Sequence, residues 1–491
     1  MRSIPMRRLL DRTRALRLTA ATLLAFAVAS PHAHAIDPFF PTFGNDGYDV
    51  KHYAVTLDVD GRTHRLAGTA VLTIKAEALL KRFTLDLSGL EVTGVRVDGV
   101  AAKFERTPGK LAVQPATPIG KGRQFTLAVA YNGVPRTIDD PTVYPPPPYP
   151  QLGWTNWQKV SYVVSEPVGA GTWYPVNDEP TDKATYRLTV TVDKPFKAVG
   201  NGALKGITDL GAKRRYVWEQ AQPMASYLAI LDIDRFQLDQ RRASNGVLIR
   251  TYRTAGTPRE SLLALYRTPA MMDYFEQFVG PYPFDAYGAV TVGDPDLYYA
   301  LETQAMSTFP KDYVDEATVA HELAHQWFGD AVTVAEWRDL WLAEGFATYL
   351  EYMWEYRGDR AALDAAFGRM YAYIVRNKVG PAVVSVPQDI FADNTYYRGS
   401  LTLQALRLEV GDKAFFATLK TFYKTYRNGN ATSADFIDTA VKVTGKPGVR
   451  PLLHAWLYDE AIPALPGAPT LSAAASAALE PPALGIGVRR R

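Results

Sequence analysis

The sequence predicts an α+β chain with two folded parts: an antiparallel β domain over residues 46–240 and a mostly helical domain over residues 241–465. In the first part apolar residues recur at every second position, as in "HYAVTLDVD", "RFTLDLSGL" and "RLTVTVD", and turn residues separate the runs. This alternation is typical of strands with one buried face. In the second part apolar residues follow a helical period, as in "LWLAEGFATYLEYMWEYRG" and "SADFIDTAVKVTG", and glycine closes each segment.

Length and composition agree with this division. The chain has 491 residues, of which 47% are hydrophobic and 21% charged, which is typical of a globular protein with two or three domains. The stretch "DDPTVYPPPPYP" at 139–150 is predicted to be a stiff surface loop, because proline cannot donate to a sheet. Residues 466–491 are rich in alanine and proline and are expected to form a flexible tail. We therefore expect no large C-terminal helical domain.

The N-terminus has the features of a secretory signal peptide. Six arginines precede the apolar run from Leu18 to Ala29, and Ala33-His34-Ala35 follows. The alternative is an anchoring helix, but the apolar run is shorter than the roughly 20 residues that a membrane span requires. We expect residues 1–35 to be removed near Ala35, and the protein to be periplasmic or extracellular with no stable membrane anchor.

Charge and cysteine usage exclude several classes of function. Residues 1–35 contain six arginines and one aspartate, so their removal changes the formal net charge from +3 to −2. A chain with this balance gives no indication of nucleic-acid binding. The sequence has no cysteine, which excludes disulfides, a lipid-modified N-terminal cysteine and a thiolate nucleophile or ligand.

The stretch "VAHELAHQWFGD" at 319–330 contains the zinc-binding pattern H-E-x-x-H. His321 and His325 are four residues apart, so on a helix both imidazoles lie on one face, with Glu322 beside them. The alternative is a buried helix that happens to contain histidines. Such a helix would place three polar side chains in apolar surroundings, where each needs a partner. A bound metal ion supplies that partner, so the pattern favours a metal site.

A catalytic zinc ion usually takes three protein ligands and keeps one position for water. After a gap of eighteen residues from His325, Glu344 lies on a predicted helix among Trp341, Leu342 and Phe346. A carboxylate in such apolar company is expected to be buried and to need a partner. We therefore predict Glu344 as the third ligand of one zinc ion, with Glu322 as the base. Gly345 is expected to allow close packing against the first helix.

"HELAHQWFGD" followed by "WLAEGFATYLEY" resembles the aminopeptidase N family of zinc peptidases, the gluzincin group that includes the leukotriene hydrolases. The resemblance extends over nearly the whole chain after residue 35. Three other stretches are similar to family segments in the expected order: "WYPVNDEPTDKATYRLTVTV", "PMASYLAILDIDRF" and "PYPFDAYGAVTV". The resemblance implies a saddle-like antiparallel β domain followed by a thermolysin-like zinc peptidase domain.

The same resemblance implies two residues that bind the free α-amine of the substrate. The family motif Gly-x-Met-Glu-Asn aligns with "YALET", in which Glu302 matches the amine-binding glutamate. Tyr299, Leu301 and Thr303 depart from the motif, which leaves open the role of Thr303 in aligning a peptide. Family members also place an acidic or amide side chain from the β domain near this amine, and Glu166 in "VVSEPVGAGTWYP" is at the matching place. The alternative for Glu166 is a loop glutamate in solvent.

The family motif Tyr-x-Lys-Gly resembles "YYRG", which makes Tyr396 the phenol that stabilises the oxyanion and puts Arg398 in place of the lysine. Together these residues predict a secreted zinc aminopeptidase that acts on peptides with a free N-terminal amine. A secreted zinc endopeptidase is the first alternative, although it would need no anionic amine site. A non-catalytic binding protein on a peptidase scaffold is the second, and it would be expected to have lost Glu322, a ligand or Tyr396.

Overall fold

The structure is a computed structural model that describes residues 36–143 and 151–466. The predicted signal peptide, most of the proline-rich loop and all but the first residue of the predicted tail therefore lie outside the described residues. Within these ranges no helix has the length and apolar character needed to cross a membrane.

The N-terminal part is rich in strands, as predicted. In its first strand Val55, Leu57 and Val59 are buried, whereas Thr56 and Asp58 between them are exposed. The period-two pattern of the sequence therefore corresponds to one buried face. The strands of this part are β1 (Tyr48–Val59), β2 (Leu66–Ala76), β3 (Phe83–Asp86), β4 (Glu91–Val97), β5 (Val100–Ala101), β6 (Lys103–Thr107), β7 (Lys110–Gln114), β8 (Gln124–Gly133), β9 (Ile138–Asp139), β10 (Gln151–Trp157), β11 (Val160–Val164), β12 (Ala184–Asp193), β13 (Lys197–Gly200), β14 (Ala203–Leu210), β15 (Lys213–Met224), β16 (Leu231–Asp234) and β17 (Gln237–Arg242).

Most of these strands form three sheets. Eight strands pair in the order β14-β15-β12-β1-β2-β8-β4-β5, five in the order β13-β16-β11-β10-β9, and three in the order β3-β7-β6. The pairing is antiparallel except between β1 and β12, which run parallel with Tyr53 opposite Tyr186. The prediction of an antiparallel domain missed this pair. A parallel pair needs a long crossover, and alternation within a strand does not indicate which distant strand will lie beside it.

The C-terminal part is mostly helical, as predicted. Its elements are β18 (Leu248–Arg253), α1 (Arg259–Leu265), α2 (Thr268–Phe278), β19 (Ala286–Val292), β20 (Ser307–Pro310), α3 (Glu316–Ala324), β21 (Val332–Val334), α4 (Trp341–Glu355), α5 (Arg360–Asn377), α6 (Gly399–Val410), α7 (Asp412–Tyr426), β22 (Gly429–Ala431), α8 (Ser433–Thr444) and α9 (Val449–Tyr458).

A small sheet precedes the helices that carry the candidate site. Its order is β17-β18-β19-β20, so the predicted domain boundary at 240/241 falls within a strand of this sheet. The helical interpretation of this region missed β19, whose seven residues are all buried. A strand covered on both faces shows no alternation, and periodicity cannot distinguish it from a buried helix.

The two parts of the chain meet beside the metal-motif helix α3. Lys183, next to the start of β12, donates to the main-chain oxygens of Asp330 (2.7 Å) and Gly429 (3.2 Å) and to the hydroxyl of Thr333 (2.9 Å). Burial lowers the pKa of Lys183 to about 7. Residues 330–333 lie six to nine positions after the end of α3, so this contact ties the segment that follows the helix to the β domain.

Candidate active site

The zinc motif was predicted to lie on a helix, and the structure places it at the end of α3, with His325 as the residue that ends the helix. Asp315 caps the helix, and its carboxylate accepts a hydrogen bond from the main-chain nitrogen of Thr318 at 2.7 Å. His321 lies in the last turn and His325 directly follows the helix, with a main-chain bond of 3.2 Å from its nitrogen to the oxygen of His321. The two imidazole rings are 4.7 Å apart and are both buried. The spacing of four residues therefore directs both rings at one place.

Glu344 lies in the first turn of α4 and faces both histidines. One of its oxygens, Oε2, is 3.1 Å from Nε2 of His321 and 3.3 Å from Nε2 of His325. The three ligand atoms lie within 4.8 Å of one another, which is the spacing that one metal ion requires. Two imidazole nitrogens and a carboxylate oxygen are the donor set that zinc prefers in catalytic sites. These residues therefore fit a zinc ion.

Gly345 allows close packing, but not against α3 as the sequence suggested. A Cβ atom on Gly345 would lie 2.8 Å from the carbonyl carbon of Gly399, so the glycine lets α4 contact α6. The sequence correctly indicated that a small residue at position 345 allows another helix to approach, but it did not indicate that this helix is α6. Gly399 directly follows the turn that carries Tyr396, so this contact sets the separation between Glu344 and Tyr396.

A second carboxylate orients the zinc motif, and sequence reasoning missed it. Glu351 lies seven residues after Glu344 on α4 and is completely buried. The Nδ1–H of His321 donates to Glu351 Oε2 at 2.9 Å, and the Nδ1–H of His325 donates to the carbonyl of Phe328 at 3.1 Å. The Nδ1 atom of each ring is therefore occupied by a hydrogen bond, which leaves the Nε2 atom of each ring for the metal. The signal in the sequence was an acidic residue two turns after Glu344 on an otherwise apolar helix face.

The charges of these side chains favour a bound cation. Burial lowers the pKa of His321, but the carboxylates of Glu344 and Glu351 outweigh burial and hold it well above its usual value. Burial raises the pKa of Glu344, and the two histidines more than offset this and lower it to about 2. The negative charge of Glu344 and Glu351 therefore favours a positive charge beside them, whether a proton on the imidazole or a metal ion in its place.

Glu322 lies in the same turn of α3 as the histidines and is buried. Burial raises its pKa to about 8, with the histidines acting in the opposite direction. Its carboxylate lies within 4.8 Å of ligand atoms of His325 and Glu302.

Glu302 lies in the connection between β19 and β20 and is 3% exposed. Burial raises the pKa of its carboxyl group, and one carboxylate oxygen, Oε1, has no hydrogen-bond partner among the described residues. The main-chain oxygen of Glu302 accepts from the side-chain amide of Gln326 at 2.8 Å, which ties this connection to the zinc motif. The hydroxyl of Thr303 is turned into its own loop, where it donates to the carbonyl of Met306.

Glu166 follows β11 in the β domain, and it is buried rather than exposed to solvent. The solvent alternative for this residue is therefore wrong.

Tyr396 lies in a π-helical turn, Asn394–Arg398, that leads into α6. Its hydroxyl donates to Oε1 of Glu344 at 3.0 Å, and its ring lies nearly parallel to that of His321. Short π-helical segments are rare and occur frequently at functional sites.

The seven residues that the sequence suggested as site residues share one cavity. The space is small, with about 10 Å³ open to a water molecule, and among its lining residues only Ala300 and Leu301 lie outside the predicted set. It is lined by Glu166, Ala300, Leu301, Glu302, His321, Glu322, His325, Glu344 and Tyr396. A metal-binding set, an acid–base group, a phenol and two further carboxylates around one small space can together activate water and bind a cationic group.

Two protein-family domains match most of the described chain. The peptidase M1 N-terminal domain matches residues 49–228, and the peptidase family M1 domain matches residues 264–456. The first match covers most of the β domain, and the second contains the zinc motif, Glu344, Glu302 and Tyr396.

Solved structures of similar proteins extend over both parts. A mutant M1 zinc metallopeptidase from Deinococcus radiodurans, bound to a Tyr-Ser-Ala substrate, is 32% identical, with a TM-score of 0.81, and the match covers 88% of this chain and 98% of that one.

Similar sequences from other organisms carry the names of aminopeptidases. Probable aminopeptidase 2 of Sulfurisphaera tokodaii is 25% identical over 84% of this chain and 54% of its own length. Aminopeptidase N of Lactobacillus delbrueckii subsp. lactis is 27% identical over 87% of this chain and 52% of its own length. The chain thus spans about half the length of these relatives.

Proposed function

This chain belongs to peptidase family M1, and from that membership we propose that it is a zinc aminopeptidase that removes the N-terminal residue of peptides. The names of the aminopeptidase relatives support the activity, and the peptide bound to the Deinococcus radiodurans enzyme supports the substrate class.

The proposal depends mainly on one observation, the buried and incompletely hydrogen-bonded carboxylate of Glu302. Its carboxylate is buried in the same cavity as the zinc-binding set, yet its Oε1 has no hydrogen-bond partner among the described residues. Leaving a buried carboxylate oxygen unpaired is costly, so such a group is poised to receive a donor. A substrate α-ammonium group supplies three donors and a positive charge. With Glu166 lining the same cavity, two carboxylates face one ammonium.

His321, His325 and Glu344 would hold one zinc ion per chain, with Nε2 of each ring and the carboxylate as donors. When bound, zinc polarises the scissile carbonyl and a water molecule, which makes the water a stronger acid. Glu351 and the carbonyl of Phe328 fix the rings from the other side.

Glu322 is the acid–base residue, and Tyr396 stabilises the oxyanion. The Glu322 carboxylate takes a proton from the attacking water and transfers it to the leaving amine. The Tyr396 hydroxyl, which contacts Glu344 in the structure, turns to the carbonyl oxygen as negative charge develops on it. Glu302 and Glu166 hold the α-ammonium and so set the distance from the N-terminus to the bond that is cleaved.

The proposal is tested by hydrolysis of aminoacyl amides and of the same compounds with acetylated amines. Acetylation removes the positive charge and adds bulk beside Glu302, so the wild-type protein should cleave only the free amines. Equal cleavage of acetylated compounds, or of internal bonds, would favour the endopeptidase alternative. Absence of hydrolysis in zinc-loaded protein would favour the binding-protein alternative.

Export is part of the proposal, and it rests on the sequence of residues 1–35 alone. If these residues are a signal peptide, the protein recovered from outside the cytoplasm begins at or near Ile36. N-terminal sequencing of the exported protein tests this, and an intact Met1 on exported protein would contradict cleavage.

A further inference from the structure

Arg398 is a completely buried arginine two residues beyond Tyr396, in the same π-helical turn. It stands where the family motif has lysine. Every hydrogen bond of its guanidinium group in the described structure goes to a main-chain carbonyl. Nε donates to Trp456 (2.8 Å), Nη1 to Val379 (3.2 Å), and Nη2 to Ala455 (3.2 Å), Asp459 and Ala461 (3.5 Å).

Four of these five carbonyls belong to the end of α9 and the residues that follow it. The last carbonyls of a helix have no partner within the helix and carry its partial negative charge. A buried guanidinium can therefore be accommodated there without a carboxylate in contact. Burial lowers the pKa of Arg398 to about 10, so the group stays charged at neutral pH.

The turn that carries Tyr396 is thus held from two sides. On one side Gly399 contacts Gly345 of α4, next to the zinc ligand Glu344. On the other side Arg398 ties the turn to the end of α9. A π-helical turn is wider than an α-helical one and is less favourable by itself, so it persists where neighbours support it.

We propose that Arg398 is a positioning residue for Tyr396, which by binding the end of α9 fixes the phenol hydroxyl beside the zinc ligands. The proposal rests on the proposed function and adds a residue to it. In this chain five carbonyls surround the guanidinium group on two sides. The single ammonium of a lysine, the residue of the family motif, could reach only some of them, so lysine would hold this turn less well in these surroundings.

The test is the variant Arg398→Lys, measured in the wild type and in a Tyr396→Phe background. A hydroxyl displaced by about 1 Å loses much of its effect, so Arg398→Lys alone should lower kcat by roughly 10- to 100-fold, with KM and zinc content close to wild type. In the Tyr396→Phe background there is no hydroxyl to place, and the same substitution should change kcat by less than about 2-fold.

Arg407→Lys is the matched control. Arg407 is another buried arginine, on α6, and it binds Asp412 and the hydroxyl of Tyr349, away from the cavity. This variant should lower the melting temperature and leave kcat unchanged. If Arg398→Lys does not fold, Arg398→Gln assayed at reduced temperature replaces it.

The possible outcomes distinguish the positioning role of Arg398 from the oxyanion role of Tyr396. An equal loss of kcat in both backgrounds, or no loss in either, would overturn the positioning role while the aminopeptidase assignment stands. Full activity in Tyr396→Phe itself would instead remove the oxyanion role of Tyr396, and the positioning role with it.

Discussion

We expect replacement of Glu351 to weaken zinc binding although this residue does not contact the metal. The imidazole of His321 donates to the buried carboxylate of Glu351 at 2.9 Å, and this bond orients the ring and makes its Nε2 a better ligand. A hydrogen bond to a charged group contributes about 1.5 to 3 kcal/mol, and each 1.4 kcal/mol is tenfold in affinity. The loss for Glu351→Ala is therefore roughly 10- to 150-fold. Glu351→Gln keeps an accepting oxygen and should lie at the lower end.

The assay is the zinc dissociation constant, measured by competition with a chelator at constant pH. Glu355→Gln is the matched control, because Glu355 is on the same helix but at the surface, so its loss of charge should leave the constant within about 2-fold. Melting temperatures in saturating zinc show whether each variant is folded. A folded Glu351→Ala protein with wild-type zinc affinity would refute the orienting role.

Four further predictions follow from the site and from one buried carboxyl group. Glu322→Gln should retain stoichiometric zinc by metal analysis but lose roughly 10²- to 10⁴-fold in kcat, since the ligands remain and the acid–base group is gone; substantial turnover would exclude that role. Tyr396→Phe should lower kcat by roughly 10²-fold with KM and melting temperature little changed, whereas a large loss of stability at constant kcat would indicate packing alone. Glu302→Gln should lower kcat/KM for free-amine substrates by roughly 10- to 150-fold, and an unchanged ratio between free and acetylated substrates would remove it from the amine site. Burial raises the pKa of Asp232 from 3.8 to about 8, so the folded state binds its proton more tightly and stability should decrease as pH rises from about 4 to about 8. Asp232→Asn should flatten this part of the curve of unfolding free energy against pH, and parallel curves for the two proteins would contradict the shift.

Local patterns in the sequence were sufficient to predict a strand-rich N-terminal part and the three residues that fit a metal ion. Alternation in β1 and the spacing of His321 and His325 are properties of one short segment, and the helix or strand period converts them directly into a shared face. Glu344 followed from the same kind of reasoning, because a carboxylate in an apolar helix needs a partner. The roles of Glu302, Glu166 and Tyr396 came from the family resemblance. The structure brings all seven predicted side chains to one cavity.

Contacts between distant segments were not readable in this way. The parallel pairing of β1 with β12 joins residues more than a hundred positions apart, and nothing in either strand specifies the other. The partner of Gly345 proved to be Gly399 on α6. A glycine in a helix indicates that another backbone comes close, but it does not indicate which segment that backbone belongs to.

What the sequence alone determined is which residues could perform the chemistry, since the type and spacing of side chains fix the ligands and the faces on which they lie. Only the tertiary structure decided what holds those residues in place. Glu351 lies behind His321, and the end of α9 surrounds Arg398. Neither Glu351 nor the end of α9 belongs to a sequence motif that would have indicated its role. Their roles arise because folding brings them to a buried position, where an unpaired charge is costly and each available partner is therefore used.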